Sequence, residues 1–129
     1  RGSGVVTGGS GAISQLPVTF ASRTEQPEGR TSPEELLAAA HATCFAMAFA
    51  NALDKAGTPP QAVSVNAHCT LDRVEGALRV TTMQLIVRGT ANGATQGSFA
   101  AIAQETSDTC PISQALTGNV QISVDATLE

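Results

Sequence analysis

Thr31-Ser32-Pro33-Glu34-Glu35-Leu36-Leu37-Ala38-Ala39-Ala40-His41-Ala42-Thr43-Cys44-Phe45-Ala46-Met47 is the stretch on which the fold turns. Ser32 can accept a hydrogen bond from the backbone ahead of it, Pro33 has the φ angle of a first helical position, and Glu35 stands three residues after Ser32 as in a capping box. A helix is therefore predicted from Pro33. It should run to about Ala56, because Gly57 is a C-terminal stop signal and Pro59-Pro60 cannot continue a helix. Between residues 36 and 53 the only polar side chains are His41, Thr43 and Asn51. A helix with so little polar face needs cover on most sides, which a chain of 129 residues provides with difficulty, so a partner subunit is expected. The same stretch has the length of a membrane span, but it is mostly Ala, which carries little transfer energy, and its polar trio would have to be buried in lipid. It reads as a core helix.

Working outward, the Gly-rich start leads into short β-like stretches at 5–7 and 12–20. Pro17 interrupts the second, and since Pro removes a ladder donor this is an edge strand or two pieces. Residues 21–30 read as a loop. Beyond the helix, residues 62–72 alternate strictly: Val63, Val65, Ala67, Cys69 and Leu71 take one face and Ser64, Asn66, His68, Thr70 and Asp72 the other. A loop at 73–76 and a strand at 77–88 complete an antiparallel hairpin. After a Gly-containing loop at 89–97, residues 98–109 are helix-like until Pro111. A short helix at 111–116 ends near Gly118, and a final alternating strand starts at Val120. The order of elements predicts an α+β chain, one domain over 1–129.

Composition narrows the functions. Seven basic against eleven acidic residues give a net charge of −4, with Lys55 the one lysine. A nucleic-acid binder needs a basic stripe to displace counterions, and an anionic membrane surface needs the same, so neither partner is expected. The apolar content is small and aliphatic, with 21 Ala, no Trp, no Tyr and 4 Phe. Three cysteines are an odd number and too few to staple a secreted fold, and no signal-peptide pattern marks the first thirteen residues, so a cytoplasmic location is expected.

Among residues able to do chemistry, Cys69 falls on the apolar face of its strand and reads as core packing, while His68 on the opposite face reads as a solvated surface residue. Cys110 directly precedes Pro111, at a helix N-terminus where backbone N–H groups favour a thiolate. Local sequence leaves it open whether Cys110 is reactive or an incidental cap. Cys44 lies twelve residues past Ser32, where no helix end can act on it, and by itself reads as a small core residue. His41 sits one turn before Cys44 on the same helix face, within reach of an ion pair, although a buried histidine is more often a hydrogen-bonded core residue.

The stretch 31–47 resembles the central-helix signature of the OsmC/Ohr family, thiol-dependent organic hydroperoxide peroxidases. Cys110-Pro111-Ile112-Ser113-Gln114-Ala115-Leu116 is similar to that family's second-cysteine motif. The spacing of the two cysteines and the hairpin between them also fit, and His41 with Ser113-Gln114 leans towards the OsmC branch. What the resemblance implies is an α+β fold with antiparallel sheets around a long central helix, in an intertwined homodimer. It makes Cys44 the peroxidatic cysteine and Cys110 the resolving one, joined in a disulfide during turnover. It makes Glu34 the family's carboxylate and Arg23, in Phe20-Ala21-Ser22-Arg23, its arginine, with Arg30 the local competitor. Read alone, Glu34 is a first-turn carboxylate favoured by the helix dipole and Arg23 a loop residue.

Helix-terminus electrostatics favour Cys110 as the more acidic thiol, whereas the resemblance favours Cys44. An arginine brought to Cys44 reconciles the two, since a guanidinium stabilises a thiolate by charge and by N–H donors. Glu34 and Cys44 are ten residues apart, about 15 Å along a helix axis, so Arg23 has to bridge part of that gap or act on the thiol of a partner subunit. The implied reaction reduces organic hydroperoxides, with an external dithiol of lipoyl or thioredoxin type as reductant and no metal, haem or flavin cofactor. The family's usual first strand is expected upstream of the Gly-rich start. Its pocket aromatics are represented only by Phe20, Phe45, Phe49 and Phe99, with Met47 as a flexible filler. Two other readings are a peroxide sensor or ligand-binding relative without turnover, and a zinc domain using Cys44, Cys110, His41 and one of His68 or Cys69. For zinc the spacing is weak, because no Cys-x2-Cys or His-x3-His pair is present.

Overall fold

The computed structural model describes residues 2–129, which divide into two compact units, one up to Leu37 and one from Ala38 to Glu129. In the first unit β1 (Ser3–Val6) pairs antiparallel with β2 (Leu16–Thr19), and Pro17 faces Val5 in that two-stranded ribbon. The ribbon tolerates the missing N–H of Pro17, because its carbonyl accepts from the Thr31 N–H and its nitrogen on the same side faces away from the β1 ladder.

A short helix α1 (Phe20–Thr24) follows, where the sequence predicted a loop. Its start is a reciprocal cap: Thr19 Oγ1 accepts from the Ser22 N–H at 3.0 Å, and Ser22 Oγ accepts from the Thr19 N–H at 3.1 Å. Serine here does the work that Glu or Gln does in the usual capping box, which is why the pattern was not legible. The chain then turns at Pro27 to Arg30 and is pinned back, with the Thr31 N–H donating to the Pro17 carbonyl at 2.9 Å and Ser22 Oγ donating to the Thr31 carbonyl at 2.9 Å.

The long helix α2 spans Pro33–Lys55, within a residue of the predicted end, and Gly57 takes the left-handed φ of +80° expected of a C-terminal glycine. The Glu35 N–H donates to Ser32 Oγ at 3.1 Å, but the Glu35 carboxylate accepts from the Thr31 hydroxyl and does not reach back to Ser32, so only half of the predicted capping box forms. By length and composition α2 could cross a membrane, with a mean hydropathy of 1.6 over its most apolar stretch. Its buried positions Ala38, His41, Phe45, Phe49 and Leu53 recur at spacings of three and four, which marks one packed stripe.

In the second unit β3 (Pro60–Val74) and β4 (Ala77–Ala91) form the predicted antiparallel hairpin. Glu75 and Gly76 make its two-residue turn with φ of 50° and 83°, the positive pair that matches strand twist. Next come α3 (Gln96–Thr109), α4 (Pro111–Leu116) and β5 (Gln121–Leu128). β5 lies beside β4 and parallel to it, giving a mixed sheet of order β3-β4-β5. The two helices of the crossover make the parallel return possible. Gly89 sits in β4 where a Cβ would come within 2.5 Å of the Ala62 carbonyl oxygen, so this strand crossing requires glycine.

The core of this unit is built from Phe45, Phe49 and Leu53 of α2, Met83, Leu85 and Val87 of β4, and Phe99 and Ala103 of α3, all fully buried. Phe45 and Phe49 stack at 5.4 Å between centroids, and Phe49 meets Phe99 edge-on at 5.0 Å. Three of the four phenylalanines expected to line a pocket are therefore core residues, while Phe20 and Met47 remain exposed in the chain.

Candidate active site

Two pairs of the predicted residues come together, one in each unit. In the first unit the return of Thr31 to Pro17 and Ser22 brings α1 against the start of α2. Arg23 there meets Glu34 through three N–H···O contacts, Nε at 3.0 and 3.2 Å from the two carboxylate oxygens and Nη2 at 3.0 Å from Oε2. Such a fork holds the plane of the guanidinium as well as its charge. Glu34 is 8% exposed, and its place in the first turn of α2 adds the favourable end of the helix dipole. Arg30, the competing arginine, is exposed.

In the second unit the Cys44 and Cys110 sulfurs are 3.1 Å apart, although 66 residues separate them in the chain. That is longer than a disulfide bond of about 2.05 Å and close enough for an S–H···S hydrogen bond. Cys44 is half-buried, whereas Cys110 is 1% exposed. Cys110 caps the N-terminus of α4. Burial pushes its thiol up, but the Ser113 N–H, the Cys44 thiol, the Ile112 N–H and the Ser113 hydroxyl all favour the anion, and the net shift is down. Cys44 moves the other way. Its hydrogen bond to Cys110 and its burial raise it, against an opposing Ile112 N–H. The surroundings therefore favour the anion at Cys110 over Cys44, as expected of a helix N-terminus facing a mid-helix thiol.

His41 is fully buried one turn before Cys44, and its Nε2 lies 2.7 Å from Ser113 Oγ, one turn after Cys110. The sequence placed His41 as a core residue and gave Ser113 no chemical part. The signal available was symmetry, since each lies three residues from its cysteine and so on the same helix face. Burial lowers the His41 imidazole from its ordinary value of 6.5. The unfolded chain then binds its proton first, so stability should fall as the pH drops from about 6.5 towards the folded value and level off below it. Urea midpoints at about pH 7.5 and 5.5 should show this fall, with a smaller one in His41→Gln. Equal falls in both proteins would contradict the assignment.

His68 is exposed and Cys69 lies on the opposite face of β3, as the alternation predicts, but Cys69 is half-buried and not the core residue expected. Among the described residues no three His, Cys, Asp or Glu side chains converge as a metal site.

The family model described as OsmC-like protein matches residues 26–125. The chain belongs to the OsmC family. Peroxiredoxin OsmC of Escherichia coli strain K12 is 36% identical to it over 122 residues, covering 95% of this chain and 85% of that protein. Among solved structures, the organic hydroperoxide resistance protein OhrB of Bacillus subtilis superposes with a TM-score of 0.79 at 19% identity, covering 95% of this chain and 89% of that one. An organic hydroperoxide resistance protein OsmC from Legionella pneumophila gives a TM-score of 0.74 at 21% identity, covering 97% and 94%. These structures share the fold of this OsmC-family chain.

Proposed function

We propose that this OsmC-family chain is a thiol peroxidase that reduces organic hydroperoxides to alcohols. The observation carrying the reading is the 3.1 Å approach of Cys44 and Cys110. In this reading the Cys44 thiolate attacks the distal peroxide oxygen, the O–O bond breaks, and the alkoxide leaves as alcohol after taking a proton. Cys44 becomes a sulfenic acid. Cys110 then attacks that sulfur, water departs, and an external dithiol of lipoyl or thioredoxin type reduces the disulfide. Exposure supports this division of labour, because a peroxide can reach half-buried Cys44 while Cys110 is enclosed. The names of the relatives, a peroxiredoxin and organic hydroperoxide resistance proteins, support the substrate class.

Arg23 has the part of favouring the Cys44 thiolate and orienting the peroxide, with Glu34 holding its guanidinium, in the same or the partner subunit. Nη1 of Arg23 makes no hydrogen bond among the described residues, which leaves its donors for sulfur or peroxide. The cytoplasm suits a cycle that depends on a reducing partner.

A steady-state assay with tert-butyl, cumene and hydrogen peroxides, each with lipoyl and thioredoxin reductants, tests the function. Turnover of the organic peroxides is expected. No turnover with any combination would leave a sensor or ligand-binding role.

The active form in this proposal is a homodimer. Only 28% of the most apolar stretch of α2 is buried within the chain, and Met47 is 71% exposed. A second copy covering this face should bury more than about 2,000 Å² in total, the size of an obligate interface. Sedimentation at micromolar concentration should show a dimer, and an active, folded monomer would contradict it.

A further inference from the structure

His41 is the one buried side-chain polar group among the described residues with an atom left unpartnered, its Nδ1. The peroxide mechanism does not use it. Its other ring nitrogen lies 2.7 Å from Ser113 Oγ, and Ser113 stands in the first turn of α4, the helix that Cys110 opens, where its N–H and hydroxyl both favour the Cys110 anion. Two bonds therefore tie α2 to α4, His41 Nε2 to Ser113 Oγ and Cys44 Sγ to Cys110 Sγ, with Ser113 and Cys110 three residues apart at the start of α4.

The orphan atom orients the first of these bonds. If Nε2 accepted from Ser113, the imidazole proton would sit on Nδ1 as a buried N–H without an acceptor, which proteins rarely tolerate. With the proton on Nε2, the ring donates to Ser113 Oγ and Nδ1 keeps only an unpaired lone pair. The Ser113 hydroxyl, having accepted, is then directed to donate to the Cys110 sulfur. Burial keeps the ring neutral, so it adds a directed donor and no charge.

We propose that His41, acting through Ser113, positions the Cys110 sulfur for the step that closes the Cys44–Cys110 disulfide. The inference rests on the thiol-peroxidase reading. In that step an S–S bond forms as the Cys44 S–O bond breaks. The Cys44 sulfur is reduced, the Cys110 sulfur is oxidised, and the departing hydroxide takes up one proton, matching the one Cys110 released, so water is the other product. A donor on the Cys110 sulfur favours its nucleophilic anion, and the tie between α2 and α4 keeps it in line with Cys44.

The test follows the two steps separately in a rapid-mixing single turnover with cumene hydroperoxide, reading sulfenate by a trapping reagent and disulfide by loss of free thiols. Ser113→Ala and His41→Leu should slow disulfide closure about tenfold more than they slow sulfenate formation, the size of one hydrogen bond to a charged group. His41→Gln, which keeps an N–H donor, should recover part of the loss. In the reduced Cys44→Ser, Cys69→Ser background, the pH midpoint of the ultraviolet absorbance of the Cys110 thiolate, which needs no reagent to reach the enclosed sulfur, should rise in Ser113→Ala and in His41→Leu. A merely structural role would slow both steps alike and leave the midpoint in place, and that result overturns the proposal. If the unsubstituted protein forms no sulfenate, the peroxidase reading fails instead, and the thiolate midpoints still decide whether His41 and Ser113 act on Cys110.

Discussion

Cys44→Ser should stop peroxide consumption, a loss of about 10³-fold or more as expected when a nucleophile is removed. Cys110→Ser should fail at turnover for a different reason. It should consume one equivalent of peroxide per chain and hold a sulfenic acid at Cys44 that a trapping reagent captures, because oxidation needs only the first thiol. Cys110 cannot stand in for Cys44 even though its surroundings favour the anion. At 1% exposure it has no room for a peroxide to approach in line. Cys69→Ser should keep turnover, since Cys69 is half-buried on the inner face of β3 and belongs to neither pair. Mass spectrometry of each variant after one equivalent of cumene hydroperoxide checks all three. Sulfenate in Cys44→Ser and none in Cys110→Ser would reverse the roles.

Arg23→Ala should slow the oxidation of Cys44 by about 10²-fold, the usual scale for losing one preorganised donor group at a developing charge. The surroundings raise the Cys44 thiol and lower that of Cys110, so a positive charge has to draw the pair towards the Cys44 thiolate. Arg23→Lys should recover only part of the rate, because an ammonium supplies charge but not a planar set of donors that engages carboxylate, sulfur and peroxide together. Glu34→Ala should be milder, removing the holder and leaving the cation. The measurement is the pH dependence of Cys44 alkylation in the Cys110→Ser background, with thermal melts alongside, since each substitution also breaks a partly buried ion pair. An unchanged profile in Arg23→Ala removes this residue from the mechanism, and Arg30→Ala in the same assay would then show whether exposed Arg30 has the role.

What the sequence determined by itself is what short-range physics controls. Ser32 and Pro33 open α2, Gly57 closes it, Pro111 starts α4, and the alternation from Val63 to Asp72 assigns Cys69 and His68 to opposite faces, all as observed. Each rests on a backbone angle, a cap or a side-chain period set within a few residues. Where a local signal is atypical, as with Ser22 in place of an acidic cap partner, the residues of α1 read as loop. Motif resemblance pointed to Cys44, Cys110, Arg23 and Glu34. Only the tertiary structure joined them into pairs, because bringing sulfurs 66 residues apart to 3.1 Å depends on how α2 and α4 pack. Tertiary structure also separated Arg23 from Arg30, by the return of Thr31 that lays α1 beside Glu34. It decided that β5 runs parallel to β4. The bond from His41 to Ser113 belongs there too, since a polar group's partner across 72 residues is chosen by burial and packing, which no local pattern encodes.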